Sequence, residues 1–259
     1  MRAKKGMRKI VVNDDTYYWS VKEDDDYFYL KKLIVMNEDG SSALTRYYSL
    51  AAVSVEDCWH KGGISAITPS VVREAILEEK EINVKRAILN EIKYQESPQY
   101  WKRIREIDQP EIIAGIGLDG EDDILLCVRQ IAINLYRRTI IDLPTLNVLL
   151  DDQVSVVQKN KEGNKYLPFG PLKQEISCLE WSSVTRTVEN QRGDKICCYS
   201  FYPQFIYFQP AGKDCLQPEL NKECVRLNKT DVYNKYAFSA SGDYFVAAEK
   251  NCMIIWNCH

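Results

Sequence analysis

Short runs of β-branched and aromatic residues, each ended by Asn, Asp or Gly, occupy both ends of this chain and leave a differently textured middle. Runs of that length with turn formers between them specify antiparallel hairpins. Near the start they cover residues 9–12, 16–21, 27–36 and 42–48, separated by Asn13-Asp14-Asp15 and Asn37-Glu38-Asp39-Gly40. A small meander is predicted there. Thr68-Pro69 then opens a helix: the Thr68 hydroxyl can accept from free backbone amides, and Pro69 suits a first turn, where its missing donor is not needed. Val72, Ala75 and Ile76, continued by Val84, Ala87, Ile88 and Ile92, supply the expected buried face.

Between residues 96 and 160 the apolar spacing predicts helices. Ser97-Pro98 repeats the capping pattern ahead of Trp101, Ile104 and Ile107, and residues 121–138 place Ile124, Leu125, Val128, Ile131, Ala132 and Leu135 on one stripe. Arg137 and Arg138 then fall at the negative end of the helix dipole. Residues 159–163, polar and glycine-bearing, read as a linker. After residue 165 the texture returns to β, at 176–181, 195–202, 205–209, 233–239, 244–248 and 252–256. The expected fold class is α+β: an N-terminal antiparallel β-meander with a covering helix at 8–95, a helical middle segment at 96–160, and a C-terminal antiparallel β region at 165–259.

The first block resembles a small uncharacterised bacterial domain. The likeness rests on the strand Val12-Asn13-Asp14-Asp15-Thr16-Tyr17-Tyr18-Trp19-Ser20-Val21 and the helix start Thr68-Pro69-Ser70-Val71-Val72-Arg73-Glu74-Ala75-Ile76. These are core aromatics, turn residues and a cap, so the resemblance implies a fold and a bacterial source but no activity. Towards the other end, Tyr236-Ala237-Phe238-Ser239-Ala240-Ser241-Gly242-Asp243-Tyr244 and Cys252-Met253-Ile254-Ile255-Trp256-Asn257 resemble part of one WD-repeat blade. A blade takes about 40–45 residues and a closed propeller at least about four blades, so residues 165–259 have room for about two. Two blades cannot close a ring, and the expectation is an antiparallel meander with blade-like hairpins.

Charge narrows the partners. The chain carries 34 basic and 37 acidic side chains, a formal net charge of -3, so no global field draws it to nucleic acid or to an anionic membrane. The basic start, Arg2, Lys4, Lys5, Arg8 and Lys9, has no interleaved aromatic to stack on a base. The apolar segment at residues 10–12 stops at Asn13, too short for a secretory signal, and no apolar run approaches the ~18 residues of a membrane span. Nine cysteines without a regular framework suit a reducing compartment, and the cytoplasm is the expected location.

Three constellations are candidates for chemistry. Gly115-Ile116-Gly117-Leu118-Asp119-Gly120 matches the dinucleotide-binding pattern, with Asp142 about twenty residues beyond where a ribose-binding acid is expected. Against it, Asp119, Glu121, Asp122 and Asp123 crowd the place where a pyrophosphate must bind. Cys58 and His60 could form a nucleophile and base, His60 being the one internal histidine. Cys252, Cys258 and His259, with Cys215 and Cys224, are the candidate metal ligands, although the chain has no C-x-x-C.

Sixteen tyrosines are many for 259 residues, and Tyr199, Tyr202, Phe205 and Tyr207 cluster as aromatics that suit a surface buried on binding. The expected function is a non-enzymatic protein-interaction module without a cofactor, whose partner is another protein. A bacterial immunity or defence-associated component, and an enzyme or nucleotide binder using Cys58 with His60 or residues 115–120, are the alternatives.

Overall fold

The computed structural model describes residues 6–23, 30–49, 66–108, 110–119, 121–179, 187–199, 205–228 and 235–259, and divides into two compact units, residues 1–87 and 88–259. In the first unit, β1 (Arg8–Val12), β2 (Asp15–Glu23), β3 (Leu30–Asn37) and β4 (Ser42–Ser49) pair in order as an antiparallel meander. The β1–β2 connection consists of Asn13 and Asp14, both at positive φ (49° and 66°), and Val12 pairs with Asp15 across it. Asn and Asp tolerate that left-handed geometry, which matches the twist of the flanking strands. Alternate residues Val12, Tyr17, Trp19, Leu33, Val35 and Leu44 face one core and are covered by Val72, Ala75 and Ile76 of α1 (Pro69–Asn90). The second apolar series on α1 does not extend that face: Val84 is 61 % exposed.

The helical middle is overturned. Residues 102–154 form five strands, β5 (Lys102–Asp108), β6 (Ile112–Leu118), β7 (Ile124–Ala132), β8 (Leu135–Asp142) and β9 (Val148–Val154), and α1 is the one α-helix among the described residues. The chain is therefore predominantly antiparallel β and not α+β. Two physical causes produced the helical reading. Strand β7 is covered on both sides, Leu125 and Cys127 facing one core while Ile124, Leu126 and Val128 face another, so its apolar run carries no alternation. Irregular pairing in β5 and β6 explains the three-residue spacings. The β5 register passes from Arg105 to Arg103 and the β6 register from Ile113 to Gly115, so Ile104 and Ile107, and likewise Ile113 and Ile116, come to the same core. An extra residue in a strand shifts its facing by one, turning a spacing of two into three.

Beyond β9 come the short strands β10 (Lys165–Tyr166), β11 (Ile176–Ser177) and β12 (Val188–Glu189), then β13 (Lys195–Cys198), β14 (Ile206–Gln209), β15 (Val225–Arg226), β16 (Lys235–Phe238), β17 (Tyr244–Ala248) and β18 (Cys252–Asn257). Within the second unit these make three four-stranded sheets, β6-β7-β8-β9, β12-β13-β14-β15 and β16-β17-β18-β5, with β10-β11 as a two-stranded piece. The last four-stranded sheet takes its outer strand from far upstream, Met253 pairing with Ile107 and Trp256 with Arg103.

One turn recurs in this unit. Gly163, Gly193 and Gly242 all have positive φ (72°, 84° and 77°), and each donates its amide to the carbonyl three residues earlier, on Asn160, Asn190 and Ser239, at 3.0 Å. The Asn160 and Asn190 side-chain oxygens accept further backbone amides of their own turns, and the Ser239 hydroxyl accepts from Tyr244. Residues 159–163, read as a linker, belong to the first of these tight turns. Neighbouring sheets share cores: Tyr166, Leu172 and Ile176 with β7 and β8, Ile113 and Leu125 with Val246 and Ile255, and Ile196 and Phe208 with Phe245 and Trp256.

Candidate functional site

The face of β7 that buries Leu125 and Cys127 continues, two residues on, to Arg129. The same alternation brings Arg137, Thr139 and Ile141 from β8, Asp151 from β9, and Arg105 from β5 to a cavity of about 180 Å³ between the β6–β9 sheet and the β5–β18 pair. Arg129 and Arg137 are register partners, and like charges directly opposite repel. Asp151 stands between them. It accepts a two-pronged bond from Arg137 at 2.8 and 2.5 Å and one from the Thr139 hydroxyl at 3.1 Å, with an Arg129 nitrogen 3.8 Å away. Arg129 donates to the Thr139 hydroxyl at 2.6 Å, and the Glu111 carboxylate lies 3.4 Å from it. Arg105 donates to the Leu146 carbonyl at 2.9 Å and has no carboxylate partner among the described residues.

The electrostatics follow from this geometry. The Arg137 hydrogen bonds, helped by Thr139 and the field of Arg129, hold the Asp151 carboxyl below its ordinary value despite partial burial. Burial pushes the Cys127 thiol up to about 11, so no thiolate forms beside the guanidinium groups near neutral pH. Ile113, Ile141 and Met253 give the cavity its apolar wall, while Val148, half exposed on β9, stands at its rim.

Strand β9 is also an edge. Among the described residues it pairs with β8 on one side and with no strand on the other, and its exposed side chains include Val148 (50 %) and Leu149 (45 %).

The sequence-based candidates are placed as follows. Cys58 and His60 lie outside the described residues, as do Gly120 and Tyr202. Gly115 and Gly117 sit within β6, paired with Val128 and Leu126, and Asp142 ends β8, where it accepts from the Thr145 amide. The segment after them is β7, so the helix on which a dinucleotide site depends is not present. Gly117 answers to packing: a Cβ there would meet Ile176 Cδ1 at 2.7 Å and the Ser177 carbonyl at 3.1 Å. Gly117→Ala is expected to destabilise the second unit by about 1–3 kcal/mol through overpacking. A denaturant midpoint equal to that of the parent chain would contradict this assignment.

The metal candidates do not converge. Cys252 lies with Glu106 and Asp108 of β5, their ligand atoms within 4.8 Å of one another. Partial burial, then Asp108 and Glu106, raise its thiol to about 12. Cys258 is buried, and His259 pairs with Asp243 at 2.6 Å. Cys215 and Cys224 do meet, in a core with Leu89, Ile92 and Tyr207. The hydrogen bond between them raises the Cys215 thiol and lowers that of Cys224. Of the aromatic group, Tyr207 is buried in that core, with Tyr199 and Phe205 partly buried against it. The arginines of the cavity were missed as a group because a helical reading scatters them. The signal was there in the two-residue spacing of Cys127 with Arg129, Arg137 with Thr139, and Arg105 with Ile107.

No family model matches the chain, and no curated protein does. Among solved structures it is similar to the β-propeller domain of the Trilobed protease from Pyrococcus furiosus, described as having an open velcro topology, at 10 % identity and a TM-score of 0.18. That comparison covers 95 % of this chain and 64 % of the other, so the chain spans less than two thirds of its length. Among the described residues no helix is long and apolar enough to cross a membrane.

Proposed function

We propose that this protein is a non-enzymatic interaction module whose second unit presents blade-like four-stranded sheets to another protein. The supporting observation is β9, a seven-residue edge strand of a four-stranded sheet with Val148 and Leu149 exposed on it. An edge strand offers a row of backbone donors and acceptors to an incoming strand, and exposed apolar side chains add affinity when covered. Natural edges are commonly protected by lysine, proline or a bulge. In β9 the sequence Val148-Leu149-Leu150-Asp151-Asp152-Gln153-Val154 contains neither Lys nor Pro, its one irregularity is the extra residue Leu149 between the Val148–Ile141 and Leu150–Ile140 pairs, residues 150–154 beyond it pair regularly, and its two acids are engaged by Arg137 and Arg138 of the adjacent strand.

The test is Leu149→Lys. The side chain is on the surface, so folding stability should change by no more than about 0.5 kcal/mol. Affinity capture from extracts of the source cells with the parent chain should recover a stoichiometric protein partner that the variant does not retain. A partner held equally by both chains, or none recovered by either, would refute β9 as the binding edge.

A further inference from the structure

We propose that the cavity between β5, β7 and β8 is a binding site for a small organic carboxylate with an apolar body. The inference is independent of whether β9 docks a protein.

Three guanidinium groups, Arg105, Arg129 and Arg137, line this cavity, and among the described residues Asp151 is the one carboxylate that lines it with them. Glu111 approaches Arg129 from outside the lining, so among the described guanidinium groups of the lining one is left without a carboxylate. That group is Arg105. Asp151 is saturated by Arg137, and Glu111 lies beside Arg129, whereas Arg105 uses one donor on the Leu146 carbonyl and retains the others. A guanidinium presents five donors in a planar fork, the geometry that matches a carboxylate oxygen pair.

The remaining wall selects among anions. Ile113, Ile141 and Met253 are almost fully buried, and together with Ile107 they give an apolar surface next to the charged end. Inorganic phosphate would leave this surface unused, and its second charge would meet Asp151. A monocarboxylate with a hydrocarbon part neutralises the Arg105 charge and fills the apolar end. Entry lies past Val148, which is half exposed.

The experiment is calorimetric titration of the full chain near pH 7 in low-chloride buffer with three probes: benzoate, its neutral analogue benzamide, and inorganic phosphate. Benzoate should bind saturably at one site, with benzamide silent and phosphate weaker. Arg105→Met should weaken benzoate by about tenfold to a hundredfold, the scale of a lost hydrogen bond between charged groups. If that variant does not fold, Val148→Trp, which narrows the entrance without removing charge, should produce the same loss. Silence towards benzoate, equal binding of benzamide, a preference for phosphate, or full benzoate affinity in the folded variant would each overturn the proposal.

Discussion

Trp256→Ala is expected to lower the stability of the second unit by about 3–5 kcal/mol, the range for deleting a large buried aromatic. The ring is 1 % exposed and lies 5.5 Å from that of Phe245, in a core that joins two four-stranded sheets through Trp101, Phe208 and Tyr236. Alanine would open a cavity that strands fixed by their ladders cannot collapse into. It would also remove the donor for the Glu96 carbonyl, which accepts from the indole nitrogen at 2.9 Å. Trp256→Phe keeps much of the volume and loses that donor, so its cost should be well under half as large. Urea titrations followed by circular dichroism measure both. A loss below about 1 kcal/mol for the alanine variant would mean that this aromatic core does not hold the sheets together.

The N-terminal strands were legible for a simple reason. Each is covered on one face, so Val12, Tyr17, Trp19, Leu33 and Val35 alternate with exposed or half-exposed neighbours, and turns such as Asn13-Asp14 mark their ends. Residues 102–142 were not legible, because burial on both faces removes alternation from β7, and irregular pairing in β5 and β6 sets apolar residues three apart. Both effects imitate a helix locally. The pairing of β5 with β18 joins residues about 150 positions apart, beyond any local pattern, since a strand records its own facing and not its neighbour. The candidate site shared that fate. Arg105, Arg129 and Arg137 are ordinary basic residues until the sheet register brings them to one cavity, whereas the glycine pattern at 115–120 was visible in sequence, and its Gly115 and Gly117 lie on β6.

Arg129→Ala is expected to destabilise the second unit by about 3 kcal/mol, because removing the buried guanidinium strands the Glu111 carboxylate and takes the donor from the Thr139 hydroxyl, while Asp151 keeps Arg137. The Arg129 side chain is 8 % exposed, and it approaches Glu111 and Asp151 while bonding Thr139. Arg129→Met keeps most of the buried stem and should lose less. Adding Glu111→Gln to it should recover part of the remainder, since the stranded charge is then gone. Acid gives an independent check. Asp151 is held below its ordinary value, first by Arg137 and also by Arg129, so its stabilising effect is complete above the unfolded value of about 3.9 and is lost as pH falls through the lower folded value. Without Arg129 the folded value rises towards the unfolded one, so the acid-induced loss from this group should be smaller and complete at higher pH. Acid titrations of the parent and Arg129→Met chains that superimpose would show that Arg129 and Asp151 do not interact.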